Sequence, residues 1–178
     1  MASALQCAKI GMVFGAMDVD SDGFLTEEDF RVLTWRWART SGQTSARRLS
    51  ALLTGWWNAL CAASDPVHDG RVSLAEVLLV VEQLGERPGV VRAPAEEMFS
   101  AIDADGDGRI SRVQYGRLIE AWCGAAPDVD EVFPRLDRDG DGHLSAAEFS
   151  AHWTEFWAGD DPAAPGTWLF GRIAVPVA

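Results

Sequence analysis

Four twelve-residue stretches repeat oxygen-bearing side chains at the same offsets. They are DVDSDGFLTEED from Asp18, DPVHDGRVSLAE from Asp65, DADGDGRISRVQ from Asp103 and DRDGDGHLSAAE from Asp137. Each has an acid at its first and fifth places, Gly at the sixth and an apolar residue at the eighth: Leu25, Val72, Ile110, Leu144. Oxygens at places 1, 3, 5, 7, 9 and 12 of such a stretch can encircle a hard divalent cation. The seventh place acts through its backbone carbonyl and the twelfth, ideally, through a bidentate carboxylate. Gly at the sixth supplies a backbone turn that other residues adopt only with strain.

The four stretches differ in how well they meet this requirement. The last meets it fully, with Asp137, Asp139, Asp141, the His143 carbonyl, Ser145 and Glu148. The first offers Asp18, Asp20, Asp22, the Phe24 carbonyl, Thr26 and Asp29. Asp29 is one methylene shorter than Glu and reaches an ion less easily, which predicts a weaker site or one more tolerant of Mg²⁺. The third offers Asp103, Asp105, Asp107, the Arg109 carbonyl, Ser111 and Gln114. Gln114 is neutral and brings a single oxygen, so weaker binding than at the fourth stretch is expected. In the second, Val67 removes an oxygen, and His68 falls at a place that points outward and reads as solvated. That stretch is expected to serve as scaffold.

Helical patterns must hold these loops. Ile10, Val13, Phe14 and Met17 lead into the first; Trp57, Leu60, Cys61 and Ser64 into the second; Ala95, Met98, Phe99 and Ile102 into the third; Val129, Val132, Phe133 and Leu136 into the fourth. The apolar stripe resumes after each loop, as in Tyr115, Leu118, Ile119 and Trp122 or Phe149, Trp153 and Phe156. Thr26, Ser73, Ser111 and Ser145, all at the ninth place, are expected to cap the second helix of each unit. Gly85, Pro88, Gly89 and Pro94 predict a boundary between halves: residues 1–86 with units one and two, and 94–157 with units three and four. Residues 158–178, broken by Pro162, Pro165 and Pro176 but carrying WLFGRIAVPV, cannot be one long helix and are expected to form a tail packed on the core.

Composition bounds the rest. With 178 residues, 48% of them hydrophobic, the chain can bury a core. A formal net charge of −12 disfavours nucleic acid and anionic membrane surfaces and favours cations. At about 5 Å and an effective dielectric of about 20, each carboxylate pair repels by roughly 3 kcal/mol before screening, and a divalent ion reverses that sign. Lys9 is the sole lysine among 15 basic residues, and with abundant Ala, Gly and Val this suggests a GC-rich, bacterial source. Cys7, Cys61 and Cys123 form no CxxC and read as buried thiols of a reducing compartment. No basic n-region or long apolar span is seen, so the cytoplasm is the expected location. There is no phosphate loop, HExxH or nucleophile elbow, and no signal joins Cys123 to His152, so no enzyme is expected.

On these loops the chain resembles a four-unit EF-hand protein, and in spacing it is similar to the calerythrin and sarcoplasmic calcium-binding protein family, including bacterial members. The resemblance implies an all-α fold, with four helix-loop-helix units in two pairs packed into one compact globule. It also implies active loops one, three and four beside a degenerate second. Units pair through their eighth places, so Val72 is expected beside Leu25 and Ile110 beside Leu144. The implied function is Ca²⁺ binding at three sites by a monomeric intracellular buffer, with a Ca²⁺ regulator of an unknown protein target kept as the alternative. The calcium-regulated photoproteins share the arrangement, and FWAGDDPAAPGTWLFGRIAVP is similar to their C-termini. With Tyr115 the sole tyrosine, their repeated His–Trp–Tyr groupings cannot be built here. Trp35, Trp56, Trp57, Trp122, Trp153 and Trp157 therefore read as largely core, and an apolar or luciferin ligand is a remote alternative.

Overall fold

The structure is a computed structural model and describes residues 2–41, 43–64, 69–85, 88–124 and 128–172. The first unit is α1 (Ala4–Met17), β1 (Phe24–Leu25) and α2 (Glu27–Ser41). The second is α3 (Gln43–Ser64), β2 (Val72–Ser73) and α4 (Leu74–Gly85). The third is α5 (Pro88–Ile102), β3 (Arg109–Ser111) and α6 (Arg112–Cys123), and the fourth α7 (Val129–Leu136), β4 (His143–Ser145) and α8 (Ala146–Ala158). A 3₁₀ turn, Pro165–Trp168, follows.

Each second helix starts where its cap was expected. The Ser111 and Ser145 hydroxyls accept from the backbone N–H of Gln114 and Glu148, whose side chains accept from the caps' own N–H groups. Thr26 and Ser73 likewise donate N–H and hydroxyl to the carboxylates of Asp29 and Glu76. These reciprocal bonds satisfy donors that a helix start leaves free.

The strands pair antiparallel as the eighth places predict: Leu25 opposite Val72, and Ile110 opposite Leu144. Leu25, Val72, Ile110 and Leu144 are all buried, which seals the base of each pair of loops. The two halves share one core. Helix α2 packs on α6, α3 on α5, and α1 and α4 both reach α8. Trp56 of α3 lies 6.5 Å, centroid to centroid, from Trp122 of α6 and 5.5 Å from Trp153 of α8.

Three expectations need correction, and one residue's place was not foreseen. Helix α5 starts at Pro88 with Pro94 inside it, so Pro94 does not lie in a linker. Pro94 is the seventh residue of the helix, past the first turn where proline is tolerated, so its missing N–H removes one interior helix bond. Trp35 is 59% exposed, because it sits on the outer face of α2 under the Arg39 guanidinium, 4.9 Å from the ring centre. Cys7 and Cys123 are free but exposed, and Cys61 is half-buried, so these thiols are not core residues. Lys9, which interrupts the apolar run of α1, is completely buried. Its ammonium donates to the carbonyls of Glu155 (3.0 Å), which also accepts the Gly159 N–H, and of Gly159 (2.6 Å) at the end of α8.

The tail packs on this same region. Tyr115 donates its hydroxyl to the Leu169 carbonyl at 3.0 Å, and Leu169 and Phe170 are buried. Gly166 crosses α8 so closely that a Cβ would overlap the His152 carbonyl oxygen and lie 2.7 Å from its Cα. Residues 173–178 lie outside the described residues.

Candidate metal centres

Three groups of carboxylates converge: Asp18, Asp20 and Asp22; Asp103, Asp105 and Asp107; Asp137, Asp139 and Asp141. In each group one oxygen per residue lies within 4.8 Å of the others. The chain around them is wound by the first Asp of each loop. Asp103 accepts from the N–H groups of Gly106, Asp107 and Gly108 at 2.9–3.1 Å. Asp137 accepts from Gly140, Asp141 and Gly142 at 2.8–3.2 Å, and Asp18 from Asp22 and Gly23. The sixth-place glycines Gly23, Gly108 and Gly142 sit at φ 86°, 79° and 86°, the left-handed turn this winding demands. At the fourth place two loops use glycine, while the first uses Ser21 at φ 58°.

The twelfth residues close the loops differently. Asp29 and Glu148 each accept the N–H of the loop's second residue, Val19 and Arg138, both at 3.0 Å. Burial works against the Glu148 carboxylate, yet bonds from Ser145, Arg138 and Asp139 outweigh it and hold its pKa below the usual range. Gln114 accepts from Ser111 and donates its amide to Asp105 at 3.2 Å. A proton shared with Asp103, and then the Gln114 amide, hold Asp105 below the ordinary carboxylate pKa. Gln114 thus places a donor against a carboxylate that a cation would need.

Place seven also acts across the pair. Arg71 in the second loop sets its guanidinium 2.9 Å from Asp22 of the first, and Arg109 in the third lies 3.9 Å from Asp141 of the fourth. Sequence spacing gave no sign of these cross-loop cations, since they depend on strand register.

Residues 65–68, with Asp65, Val67 and His68, lie outside the described residues. The rest of the second loop keeps the common architecture: Gly70 at φ 72°, the Asp69 carboxylate accepting from Arg71 N–H, and the Ser73–Glu76 cap. The His143 ring lies beside Asp141, with Nδ1 3.3 Å from the Asp141 carbonyl oxygen.

The donor set fits calcium: carboxylate oxygens, already gathered and turned inward by backbone N–H groups, in a loop closed by a further acid or amide. The sequence pattern of the family described as EF hand matches residues 12–34, 95–112 and 129–151. A sarcoplasmic calcium-binding protein of Hediste diversicolor is 31% identical over 117 residues, 64% of this chain and 67% of that protein.

The chain belongs to the EF-hand family. It is a calcium-binding EF-hand protein like the sarcoplasmic calcium-binding proteins. The match to one from Penaeus sp., at 29% identity, covers 55% of this chain and 57% of that protein, so the chain spans little more than half of that relative's length. Two solved structures carry the same fold. A sarcoplasmic calcium-binding protein from amphioxus superposes with a TM-score of 0.72 at 19% identity, covering 97% of this chain and 99% of the other. A coelenterazine-binding protein from Renilla muelleri gives a TM-score of 0.72 at 19% identity, covering 97% and 100%. No helix of the described residues is long and apolar enough to cross a membrane.

Proposed function

We propose that the protein is a calcium buffer with three working loops: the first (Asp18, Asp20, Asp22, the Phe24 carbonyl, Thr26, Asp29), the third (Asp103, Asp105, Asp107, the Arg109 carbonyl, Ser111, Gln114) and the fourth (Asp137, Asp139, Asp141, the His143 carbonyl, Ser145, Glu148). The second loop is scaffold, holding the first through Val72. The order of affinity is fourth, first, third, with Mg²⁺ competing best at the first, where Asp29 is short.

One observation carries buffer over regulator. Aromatic rings from both halves and from the tail interlock: Trp56, Trp122, Trp153, Phe156 and Phe170 have neighbouring centroids 4.8–6.5 Å apart. A regulator that opens to grip a target would break these contacts, and it would draw on adaptable methionines. Here Met17 and Met98 are buried. The photoprotein-like reading loses ground for a related reason. Both His152 ring nitrogens are taken, by the Leu136 carbonyl at 2.6 Å and Glu155 at 3.4 Å, and the Tyr115 hydroxyl by Leu169.

Calorimetric titration with calcium in the presence of Mg²⁺ tests the assignment: three sites are expected, and two would mean that Gln114 has disabled the third loop. Binding to the folded state alone raises stability by RT ln(1 + [L]/Kd), so the melting temperature should rise strongly with calcium. Solution scattering separates the roles: a buffer keeps or shrinks its radius of gyration on binding. A calcium-dependent expansion, or a protein captured only with calcium, would establish the regulator instead.

A further inference from the structure

Arg71 stands at the seventh place of the second loop, yet it acts on the first. Its guanidinium donates to Asp22 Oδ2 at 2.9 Å and lies 4.9 Å from the centre of the Phe24 ring. Asp22 and Phe24 hold the fifth and seventh places of the first loop, and both contribute oxygens to the proposed calcium site. Strand register sets this reach, since Leu25 lies opposite Val72, the residue after Arg71. The second Asp22 oxygen is engaged as well: Oδ1 accepts the Phe24 N–H at 2.9 Å. Among the described residues, no other cation pairs with Asp18, Asp20 or Asp22.

The equivalent places in the other acidic loops differ. In the fourth, Asp141 Oδ1 accepts the His143 N–H at 2.8 Å, but the Arg109 guanidinium stays 3.9 Å from Oδ2, too far to hydrogen-bond. In the third, Asp107 Oδ1 accepts the Arg109 N–H at 2.9 Å, and no described cation pairs with the carboxylate. Of these three loops, only the first has its fifth-place acid hydrogen-bonded to a cation among the described residues.

Charge then works in one direction. In the empty loop, Arg71 offsets the repulsion among three carboxylates whose oxygens lie within 4.8 Å of one another. In the filled loop, the same guanidinium faces a divalent cation across a shared carboxylate, and like charges oppose each other. Both effects favour the empty state. We propose that Arg71 sets the calcium affinity of the first loop, lowering it so that this loop fills at higher calcium than the fourth. The second loop, which lacks an oxygen at its third place, thereby tunes the working range of its neighbour. The inference rests on the first loop being a working site.

The test follows two amides in ¹⁵N–¹H spectra of the full chain, at calcium levels fixed by a chelator buffer. Gly23 N–H donates to Asp18 at 2.9 Å and reports the first loop; Gly142 N–H donates to Asp137 at 2.9 Å and reports the fourth. Arg71 is half exposed, so its replacement does not threaten the fold. Arg71→Met removes the charge and keeps a chain long enough to cover Phe24. Its Gly23 midpoint should fall about three- to fivefold in calcium, the upper end of what an exposed ion pair contributes, with the Gly142 midpoint unchanged. Arg71→Lys, which keeps the charge, should stay within about twofold of the unaltered chain. In chelator without calcium, Arg71→Met should melt below the unaltered chain. Tighter calcium with a less stable empty form marks a charge effect, because a packing defect would weaken both. A Gly23 midpoint that stays or rises in Arg71→Met, or one that falls equally in Arg71→Lys, would overturn the proposal and leave the three-loop assignment standing. A Gly23 amide that never responds to calcium in the unaltered chain would overturn both.

Discussion

Gln114 shows how much one atom type changes at a loop's last position. Its oxygen does what Glu148 does for the cap, accepting from the serine three residues before, but its nitrogen donates to Asp105 where a glutamate would repel it. Gln114→Glu removes that donor and adds a charged ligand, so the weakest site in a calorimetric titration should tighten by about tenfold or more, in keeping with the dependence of loop affinity on ligand charge. Lys9 gives a second prediction. Burial lowers its pKa from 10.5 to about 8, against the pull of Asp160 and Glu155. Between those values the unfolded chain holds a proton that the folded chain has released, so stability from this group rises with pH across the window. Measured against Lys9→Met, the melting temperature of the unaltered protein should therefore gain as pH increases from 8 towards 10. A difference independent of pH would show that the ammonium keeps its ordinary pKa.

At the scale of elements, the strand pairs explain why a loop with a missing oxygen persists. Val72 is fully buried against Leu25, and Leu25 belongs to the loop that carries Asp18, Asp20 and Asp22. Val72→Ala should cost about 2 kcal/mol of stability through the lost methyls and the space they leave. It should also weaken calcium at the first loop, although the substitution lies in the second. Unchanged affinity there would mean that the loops are held independently. The helices themselves were legible because an amphipathic helix repeats its apolar residues every three to four positions. Ile10, Val13, Phe14 and Met17 are buried as that period requires, as are Ala95, Met98, Phe99 and Ile102. The capping residues were equally plain, since their partners lie three residues on. What the period could not separate was a core tryptophan from an outer one. Trp35 and Trp37 of α2 are two residues apart and point to different sides, and only Trp37 is buried.

Across the whole molecule, one knot ties the fourth loop, the first helix and the tail. Glu155 pairs with Arg138 from the fourth loop, accepts from Gly166 N–H at 2.8 Å and faces His152, while its carbonyl accepts from Lys9. Beside it, Phe170 packs against Trp122, Trp153, Phe156 and Trp157 with centroids 4.8–6.1 Å away. Phe170→Ala should lower unfolding stability by about 3–5 kcal/mol in calcium, readable by denaturant titration. A cost under 1 kcal/mol would mean that the tail is an addition and not part of the core.

The sequence by itself determined the loops, their capping and the helical faces, because each of these depends on residues a fixed few positions apart. Only the tertiary structure decided where Lys9 ends, which carboxylates Arg71 and Arg109 meet and how the tail crosses Gly166. Those contacts join residues from 11 to 150 positions apart, and no local period records which surfaces the chain will bring together.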